Sequence, residues 1–435
     1  MSRKLSIDFP FNFPASASNM TTVLGLALAA LVTEKLGRKK TFTVLTMPVV
    51  IGWVAIYLGK HLWVFMMARI IHGICFGGLF SLCVLSTAEY TAPNVRGIYL
   101  NLIITAGAAV GVAVSNVLGT LIHWRTVTII GVIPAMISAL LPYFWVESPT
   151  WLASKGRFKE CAESFESLHG TGKEASEELR LLIKVETEKQ KKIGGASESA
   201  ALIWRKICTA LKQRYIWKIA ALSVVLHLYR VATARLLICT FAITILQNIT
   251  GSTDIFLFSL VADGCLVIGS ILSSFMVERI KCRTLLFSGG IAANMVLIVL
   301  SISLYYYRSN PWLNCTLLAL FIVIVNAGPY PVLESLFGEI YPLEIKCYCM
   351  FGFGIIGTVL LFLSTKLALT MFAAMGYHGV FLFHAGLGFL CLAYLWVFLP
   401  ETKGRTLQEI ELYFKNNKFD DINDLLREEQ MARLV

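Results

Sequence analysis

Charged side chains are scarce in this chain. Asp, Glu, Lys and Arg make up only 15% of its 435 residues, whereas 57% of the residues are hydrophobic. So little charge, combined with repeated apolar runs of about 20 residues, is typical of a polypeptide embedded in lipid. Because lipid satisfies no backbone hydrogen bonds, these runs should be helices, and no strand-like alternation indicates a barrel. We therefore predict an all-α membrane protein.

Signatures of several other functional classes are missing. The 11 cysteines have no metal-ligand spacing and mostly lie in apolar runs, as small buried thiols do. No Walker loop is present, so coupling to ATP is not expected. Ser, His and Cys are not arranged around an oxyanion or metal motif, so we expect neither an enzyme nor a cofactor. Basic cytoplasmic loops explain the net charge of +11 better than nucleic-acid binding does.

Apolar runs of spanning length lie on both sides of a polar block at residues 147–215. About five precede the block and about six follow it, at residues 17–33, 41–58, 62–86, 98–121, 127–146, 216–246, 254–277, 285–305, 313–336, 348–371 and 376–399. We expect two transmembrane bundles, 17–146 and 216–399, joined by a cytoplasmic linker with short helices. Residues 400–435 should form a cytoplasmic tail. Residues 1–16 lack an apolar core of signal-peptide length and should be extracellular or unstructured.

The basic residues predict the orientation of the chain. Lysine- and arginine-containing loops follow alternate spans, and the positive-inside bias places these loops in the cytoplasm. Two sequons in or near the outer loops, at Asn248 and Asn314, are then candidate glycosylation sites. We expect a multi-pass protein of the plasma membrane.

Three motifs of acidic and basic residues occur twice, in the same order. The pairs are Glu34–Lys39 with Glu278–Arg283, Glu89–Gly97 with Glu339–Cys347, and Glu147–Pro149 with Pro400–Gly404. Motifs repeated in register indicate two homologous halves. Parallel repeats of this kind are typical of transporters whose site lies between the halves near the membrane midplane.

The repeated charges lie at the inner ends of spans, where they can pair when the inner mouth is closed and separate when it opens. One exposed salt bridge stabilises a closed state by only about 0–1 kcal/mol, so a gate needs a network of several such pairs. The candidate gate residues are Arg38, Glu89, Arg96, Glu147, Arg157, Arg279, Glu339, Lys346 and Glu401. The alternative, solvated loop charge, fits Lys35, Lys39 and Lys40 better.

These motifs resemble those of the sugar porters of the major facilitator superfamily. The resemblance rests on Glu34–Lys40, Arg69 with Gly73, Gly77 and Gly78, Glu89 with Arg96-Gly97, Glu147–Leu152 with Lys155–Arg157, Gly338–Pro342 and Pro400–Gly404. Within the family, the chain looks most like the insect facilitated trehalose transporters. The resemblance implies the major facilitator fold, with two helical bundles around a central cavity. It also implies a monomer that moves a sugar by facilitated diffusion with alternating access.

The chain departs from the family in several places. The family has twelve spans, and the span expected before residue 17 has no counterpart within residues 1–16. The family's sugar-binding Gln-Gln-Leu-Ser-Gly-x-Asn stretch falls on Arg230–Leu236, and its sugar-stacking Trp falls on Glu334. The candidate substrate-binding residues are His227, Arg230, Asn326, Glu334 and Asp263.

A lone charge inside a bilayer is costly, so Arg230 and Glu334 should compensate each other across the cavity, with Asp263 as a competing partner. His227 lies one turn before Arg230 on the same helix face. Three functions remain open. The first is transport of trehalose or a hexose. The second is a transporter-derived sensor or truncated product without transport activity. The third is transport of a charged small solute.

The orientation predicts that trypsin added to sealed cells does not cut at Lys189–Lys192, because the polar block is cytoplasmic. Permeabilised cells provide the control, in which the same site should be cut. Cutting in intact cells would refute the orientation.

Overall fold

Helices account for the regular structure of the described part of the chain. The computed structural model describes residues 12–91, 98–99, 101–170, 172, 176, 179–180, 182–184, 187, 209, 212–251, 256–307, 310–342, 346–403, 405 and 407–416, and within these residues no strand occurs. The helices of the first half are α1 (Asn12–Leu58), α2 (Leu62–Tyr90), a π-helical turn (Leu102–Ala106), α3 (Gly107–Leu121), α4 (Trp124–Leu140), a 3-10 turn (Leu141–Phe144), α5 (Pro149–Ser154) and α6 (Phe158–His169).

The second half is also helical. Its helices are α7 (Arg214–Ala232), α8 (Arg235–Thr240), α9 (Ala242–Thr250), α10 (Phe256–Arg279), α11 (Cys282–Tyr306), α12 (Pro311–Ala327), α13 (Pro329–Glu339), α14 (Lys346–Phe398) and α15 (Leu407–Asn416). Nine helices in the described part of the chain are long and apolar enough to cross a membrane.

Two of the long helices are each two helices joined at a glycine. Gly37 interrupts α1 with φ 85° and ψ −179°, and Gly376 interrupts α14 with φ 70° and ψ 173°. Glycine adopts such positive φ values without the steric penalty of a Cβ atom. The apolar stretch Cys349–Phe398 has 50 residues, which is too long for one crossing of a bilayer about 30 Å thick. The two breaks fall where the sequence predicts loops, which agrees with about eleven spans.

The chain packs as two compact units. One unit comprises Met1–Ile104 and Leu118–Trp204, and the other comprises Thr105–Val117 and Arg205–Val435. The short segment Thr105–Val117 thus groups with the later residues, although the sequence predicts one continuous first bundle. Its buried Ala109 and partly buried Val112 belong to the apolar cluster that α8 to α12 and α14 build.

Small residues allow α1 and α2 of the first unit to pack closely. A Cβ atom on Gly25 would lie 1.8 Å from the carbonyl oxygen of Ile74, so only glycine fits there. Close backbone approach at small residues is a common basis of helix association in lipid. Ala29, Leu45 and Leu82 are buried together beside this contact.

We predict that Gly25→Ala destabilises the first unit by about 1–3 kcal/mol, as overpacking of a tight contact does. The matched control is Gly111→Ala, because a Cβ atom at Gly111 would meet nothing within 4 Å. Thermal unfolding of both variants in detergent, followed by size-exclusion chromatography, checks this. Equal unfolding temperatures for the two variants would contradict the close packing.

Candidate functional site

The second unit contains a pocket that is partly open to its surroundings. Helices α3, α8, α9, α10 and α12 line the pocket, and most of the lining side chains are apolar. Four side chains in the wall carry strongly polar or charged groups: Asn116, Arg235, Asp263 and Asn326. A largely apolar pocket with a few converging polar groups is the usual form of a small-molecule site.

The four polar residues form two hydrogen-bonded pairs. Asn116 Nδ2 donates to Asp263 Oδ1 at 3.0 Å, and Ser259 Oγ lies 3.5 Å from the other carboxylate oxygen. Arg235 Nε donates to Asn326 Oδ1 at 2.6 Å. The pocket wall therefore carries one positive and one negative formal charge. Each charge is held by an amide, and the described residues include no salt bridge between Arg235 and Asp263.

Two helix breaks position these residues. Helix α7 ends at Ala232 and α8 begins at Arg235, with Ala234 between them at φ 50° and ψ 5°. Helix α12 ends at Ala327 and α13 begins at Pro329. Because proline cannot donate a backbone hydrogen bond, the hydrogen bonding of α12 does not continue past this point, and α13 begins as a separate helix. Arg235 opens one new helix, Asn326 closes the other, and their hydrogen bond joins the two breaks.

Helix α13 contacts α7 and the start of α8 through three consecutive side-chain pairs. His227 stacks on Phe337 with ring centroids 4.2 Å apart. Arg230 forms a 2.8 Å salt bridge with Glu334. Past the break, the Arg235 guanidinium lies 3.9 Å from the centroid of the Tyr330 ring.

The three contacts share one face of α13. Tyr330, Glu334 and Phe337 are spaced i, i+4 and i+7, which places them on one stripe of a helix. We call this series the α7–α13 ladder.

The predicted pairing of Arg230 with Glu334 is confirmed. Both side chains are largely shielded, with 24% and 13% of their surface exposed. The proposed competing partner, Asp263, instead contacts Asn116. Asp263 and Asn326 line the pocket, whereas the lining of this pocket does not include His227, Arg230 or Glu334. The role of all five residues in substrate binding stays a prediction.

Three residues of this region were not predicted from the sequence: Asn116, Arg235 and Tyr330. Arg235 had a signal, because it is a second arginine within an apolar span and such residues are functional candidates. The family's first amide position, however, falls on Arg230 and not on Arg235. Asn116 and Tyr330 carry no comparable signal, since a single amide or tyrosine in an apolar span is common.

The candidate gate residues of the first unit form a connected cluster. Arg38 contacts Glu89 with two hydrogen bonds of 2.7 and 2.5 Å, and both side chains are nearly buried. Glu147 accepts hydrogen bonds from the backbone N–H groups of Arg38 at 2.7 Å and Lys39 at 3.3 Å. These N–H groups begin the helix that follows Gly37, where the helix dipole favours a carboxylate. The structure thus brings Arg38, Glu89 and Glu147 together, and their role as a gate stays a prediction.

Tyr90 adds to this cluster, since its hydroxyl donates to the Val146 carbonyl at 3.0 Å. Burial raises the pKa of Tyr90 most, Glu147 and Glu89 raise it further, and Arg38 opposes them. The hydroxyl therefore remains a protonated donor at physiological pH. Lys39, interpreted from sequence as a solvated charge, instead donates to the Tyr143 and Trp145 carbonyls at 3.2 and 3.0 Å.

The second unit repeats this arrangement. Glu401 accepts hydrogen bonds from the backbone N–H groups of Cys282 and Arg283, each at 3.1 Å. These N–H groups begin α11, as those of Arg38 and Lys39 begin the helix after Gly37. Glu147 and Glu401 belong to the matching third motifs of the two halves, so the repetition seen in the sequence is also a repetition of structure.

Other predicted residues have different surroundings. Arg157 pairs with Glu160 in its own helix turn, and both are about half exposed, so the interpretation as solvated charge fits Arg157. Arg279 is exposed at the end of α10, and Glu339 is partly buried at the end of α13. Arg96 and the side chain of Lys346 lie outside the described residues.

The two sequons differ in accessibility. The prediction that Asn314 is glycosylated is wrong, because its side chain is fully buried and accepts a 2.7 Å hydrogen bond from Ser303. The sequon lies within α12, where the amide packs against α11 instead of facing solvent. Asn248 is partly exposed in the last turn of α9 and stays a prediction.

Comparisons with known proteins all find transporters. Residues 13–414 match the family described as Sugar (and other) transporter. The facilitated trehalose transporter Tret1 of Polypedilum vanderplanki is 24% identical over 87% of this chain and 74% of its own length. The glucose transporter GlcP of Staphylococcus epidermidis is 25% identical over 93% of this chain and 90% of its own.

The fold is likewise similar to solved structures. The proton:xylose symporter XylE has a TM-score of 0.73 at 18% identity, covering 93% of this chain and 89% of the XylE chain. At this identity, the similarity shows the major facilitator fold alone.

We predict that Glu89→Gln weakens the gate cluster and lowers the unfolding temperature, because it leaves the shielded Arg38 without its counter-charge. Loss of one partner of a buried pair lowers the free energy of unfolding by about 3–5 kcal/mol. The loss should be smaller here, because the side chains of Arg38 and Glu89 remain 12% and 11% exposed. The control is Glu160→Gln, which alters a half-exposed pair. Unfolding temperatures measured in detergent should differ between these variants, and equal values would favour solvated charge at both sites.

Proposed function

This chain belongs to the Sugar (and other) transporter family, and we propose that it carries a neutral sugar, trehalose or a hexose, down its gradient by alternating access. Members of this family are transporters and not enzymes. The names of the two relatives, a trehalose transporter and a glucose transporter, support a sugar as the solute. The similarity to both extends over most of the chain.

The observation that carries the proposal is the balance of charge in the pocket. Arg235 and Asp263 contribute opposite formal charges to an otherwise apolar wall, and Asn116 and Asn326 contribute amides. Sugar hydroxyls both donate and accept, so they can bond to a carboxylate, a guanidinium and amides at once. A solute of single charge would meet one attractive and one repulsive charged group in this wall. The balance therefore supports a neutral polar solute over a singly charged one.

A second candidate function is supported by the α7–α13 ladder. Its salt bridge joins helices that carry the family's sugar-binding positions, and the described region shows an arginine and a glutamate in place of an amide and an aromatic ring. A protein of this kind would be a sensor derived from a transporter, with slow or absent transport. Direct uptake measurement separates the two candidates.

We also propose that the carrier is a monomer in the plasma membrane. Its multi-pass helices and the partly exposed sequon at Asn248 are compatible with this placement. Surface biotinylation of an epitope-tagged chain, before and after removal of N-glycans, tests it. Retention in internal membranes would contradict it.

The function is tested by uptake of radiolabelled trehalose and glucose in oocytes, normalised to the amount at the surface. We expect saturable uptake of at least one sugar and a loss of about tenfold or more in Asp263→Leu, since a charged-group hydrogen bond contributes roughly 1.5–3 kcal/mol. The control is Ser288→Leu, which alters an exposed hydroxyl that bonds only within its own helix. Normal surface amounts without uptake of either sugar would favour the sensor.

The ladder predicts a specific pattern in a double-mutant experiment. Arg230→Gln or Glu334→Gln alone should destabilise the protein strongly, because each leaves a shielded charge unpaired. The double variant should recover most of the stability and should take up sugar faster than the unaltered chain, since no ion pair then joins α7 to α13. Thermal unfolding and uptake measure the two effects. Additive losses in the double variant would contradict the coupling of this pair.

A further inference from the structure

Tyr330 lies between two arginines that belong to different parts of the site. Its ring carries the guanidinium of Arg235 at 3.9 Å, while its hydroxyl lies 3.4 Å from the Arg230 guanidinium. Arg235 lines the pocket, and Arg230 is fixed by Glu334. The tyrosine therefore connects the pocket cation to the salt bridge of the ladder.

The contact with the ring limits the motion of Arg235. An arginine side chain has several rotatable bonds, and ordering it costs conformational entropy. Here the face of the guanidinium is held by the ring, and one edge is held by Asn326 Oδ1 at 2.6 Å. Among the described residues, no acceptor bonds to its two terminal nitrogens, so these remain as donors for a solute. A guanidinium fixed in advance loses less freedom when it binds.

The position of Tyr330 is restricted both through its backbone and through its hydroxyl. Pro329 and Pro331 flank it and restrict the backbone at the start of α13. Its hydroxyl approaches Arg230, whose own position is set by the 2.8 Å salt bridge with Glu334. The salt bridge restricts Arg230, Arg230 contacts the Tyr330 hydroxyl, and the Tyr330 ring in turn restricts the Arg235 guanidinium.

We propose that Tyr330 is a positioning residue that makes Arg235 the principal hydrogen-bond donor for the transported sugar. This inference rests on the proposed function. Arg235 contacts the solute's hydroxyl or ring oxygens, and Tyr330 acts only through Arg235. Removal of the aromatic ring should therefore weaken solute binding while leaving the turnover step nearly unchanged.

The experiment compares Tyr330→Leu with Tyr330→Phe in uptake of radiolabelled glucose and trehalose at graded concentrations. The leucine variant loses the ring, and we expect its KM to rise about tenfold, since the variant loses a shielded cation–π contact with Arg235. Its Vmax per molecule at the surface should change less than twofold, roughly within normalisation error. The phenylalanine variant keeps the ring and should restore KM to within about threefold of the original value.

Two further variants separate positioning from general damage. Arg235→Lys keeps the charge but not the planar donors, and it should raise KM at least as much as Tyr330→Leu does. Combining it with Tyr330→Leu should add little, because both changes remove the same contact. Tyr307→Leu, at a tyrosine that is 62% exposed, is the matched control and should leave KM unaltered.

A binding measurement on purified protein gives a readout that does not require transport. Glucose and trehalose should raise the unfolding temperature of the unaltered chain, and Tyr330→Leu should need about tenfold more sugar for the same shift. If the unaltered chain binds and transports sugar while Tyr330→Leu has an unchanged KM, the positioning role is refuted and the proposed function stands. A fall in Vmax with constant KM would show a purely structural role. Absence of both uptake and stabilisation in the unaltered chain would overturn both proposals.

Discussion

A charge buried in a membrane protein must find a partner, and this constraint organises the second unit. Placing an unpaired arginine or glutamate at the centre of a bilayer costs at least roughly 2.5–3.5 kcal/mol. Arg230 and Glu334 satisfy each other directly at 2.8 Å. Arg235 and Asp263 are satisfied by amides and, for Arg235, by an aromatic ring. The two arrangements have different consequences: the first joins two helices firmly, and the second leaves donors and acceptors for a solute.

The helix breaks explain why both arrangements occur so close together. A continuous helix would place Arg235 on a face about 140° from Arg230, since each residue turns the helix by roughly 100°. The break at Ala234 redirects the chain, so both arginines reach α12 and α13. Ala234 adopts a positive φ that favours glycine, which indicates that tertiary contacts hold the break in place. The local strain at Ala234 is thus compensated by the hydrogen bond and ring contact of the next residue.

The sequence predicted the fold because lipid leaves few alternatives. Long apolar runs must be helices, and basic loops and glycine or proline positions mark their ends, as at Gly37 and Gly376. The Arg230–Glu334 pair was predictable for the same reason, since opposite charges on apolar spans have little else to contact. The polar wall of the pocket was predicted only in part. Asp263 and Asn326 were named from the sequence, whereas Arg235 was not, because a break whose geometry no residue pattern specifies places it there. The sequence pattern at Asn314 was misleading, because the sequon lies inside a helix that begins at Pro311 and the Asn314 side chain is buried there.

A pocket with balanced charge should take a neutral sugar in preference to a charged one. Competition of unlabelled glucose, glucuronate and glucosamine against uptake of radiolabelled glucose at pH 7 measures this preference. These competitors share a ring and differ in charge. We expect glucose to compete at least tenfold better than either charged analogue, since one poorly matched charge costs roughly 1.4 kcal/mol or more of binding free energy. Stronger competition by glucuronate or by glucosamine would show that the pocket does not prefer a neutral sugar and would indicate a carrier of charged solutes.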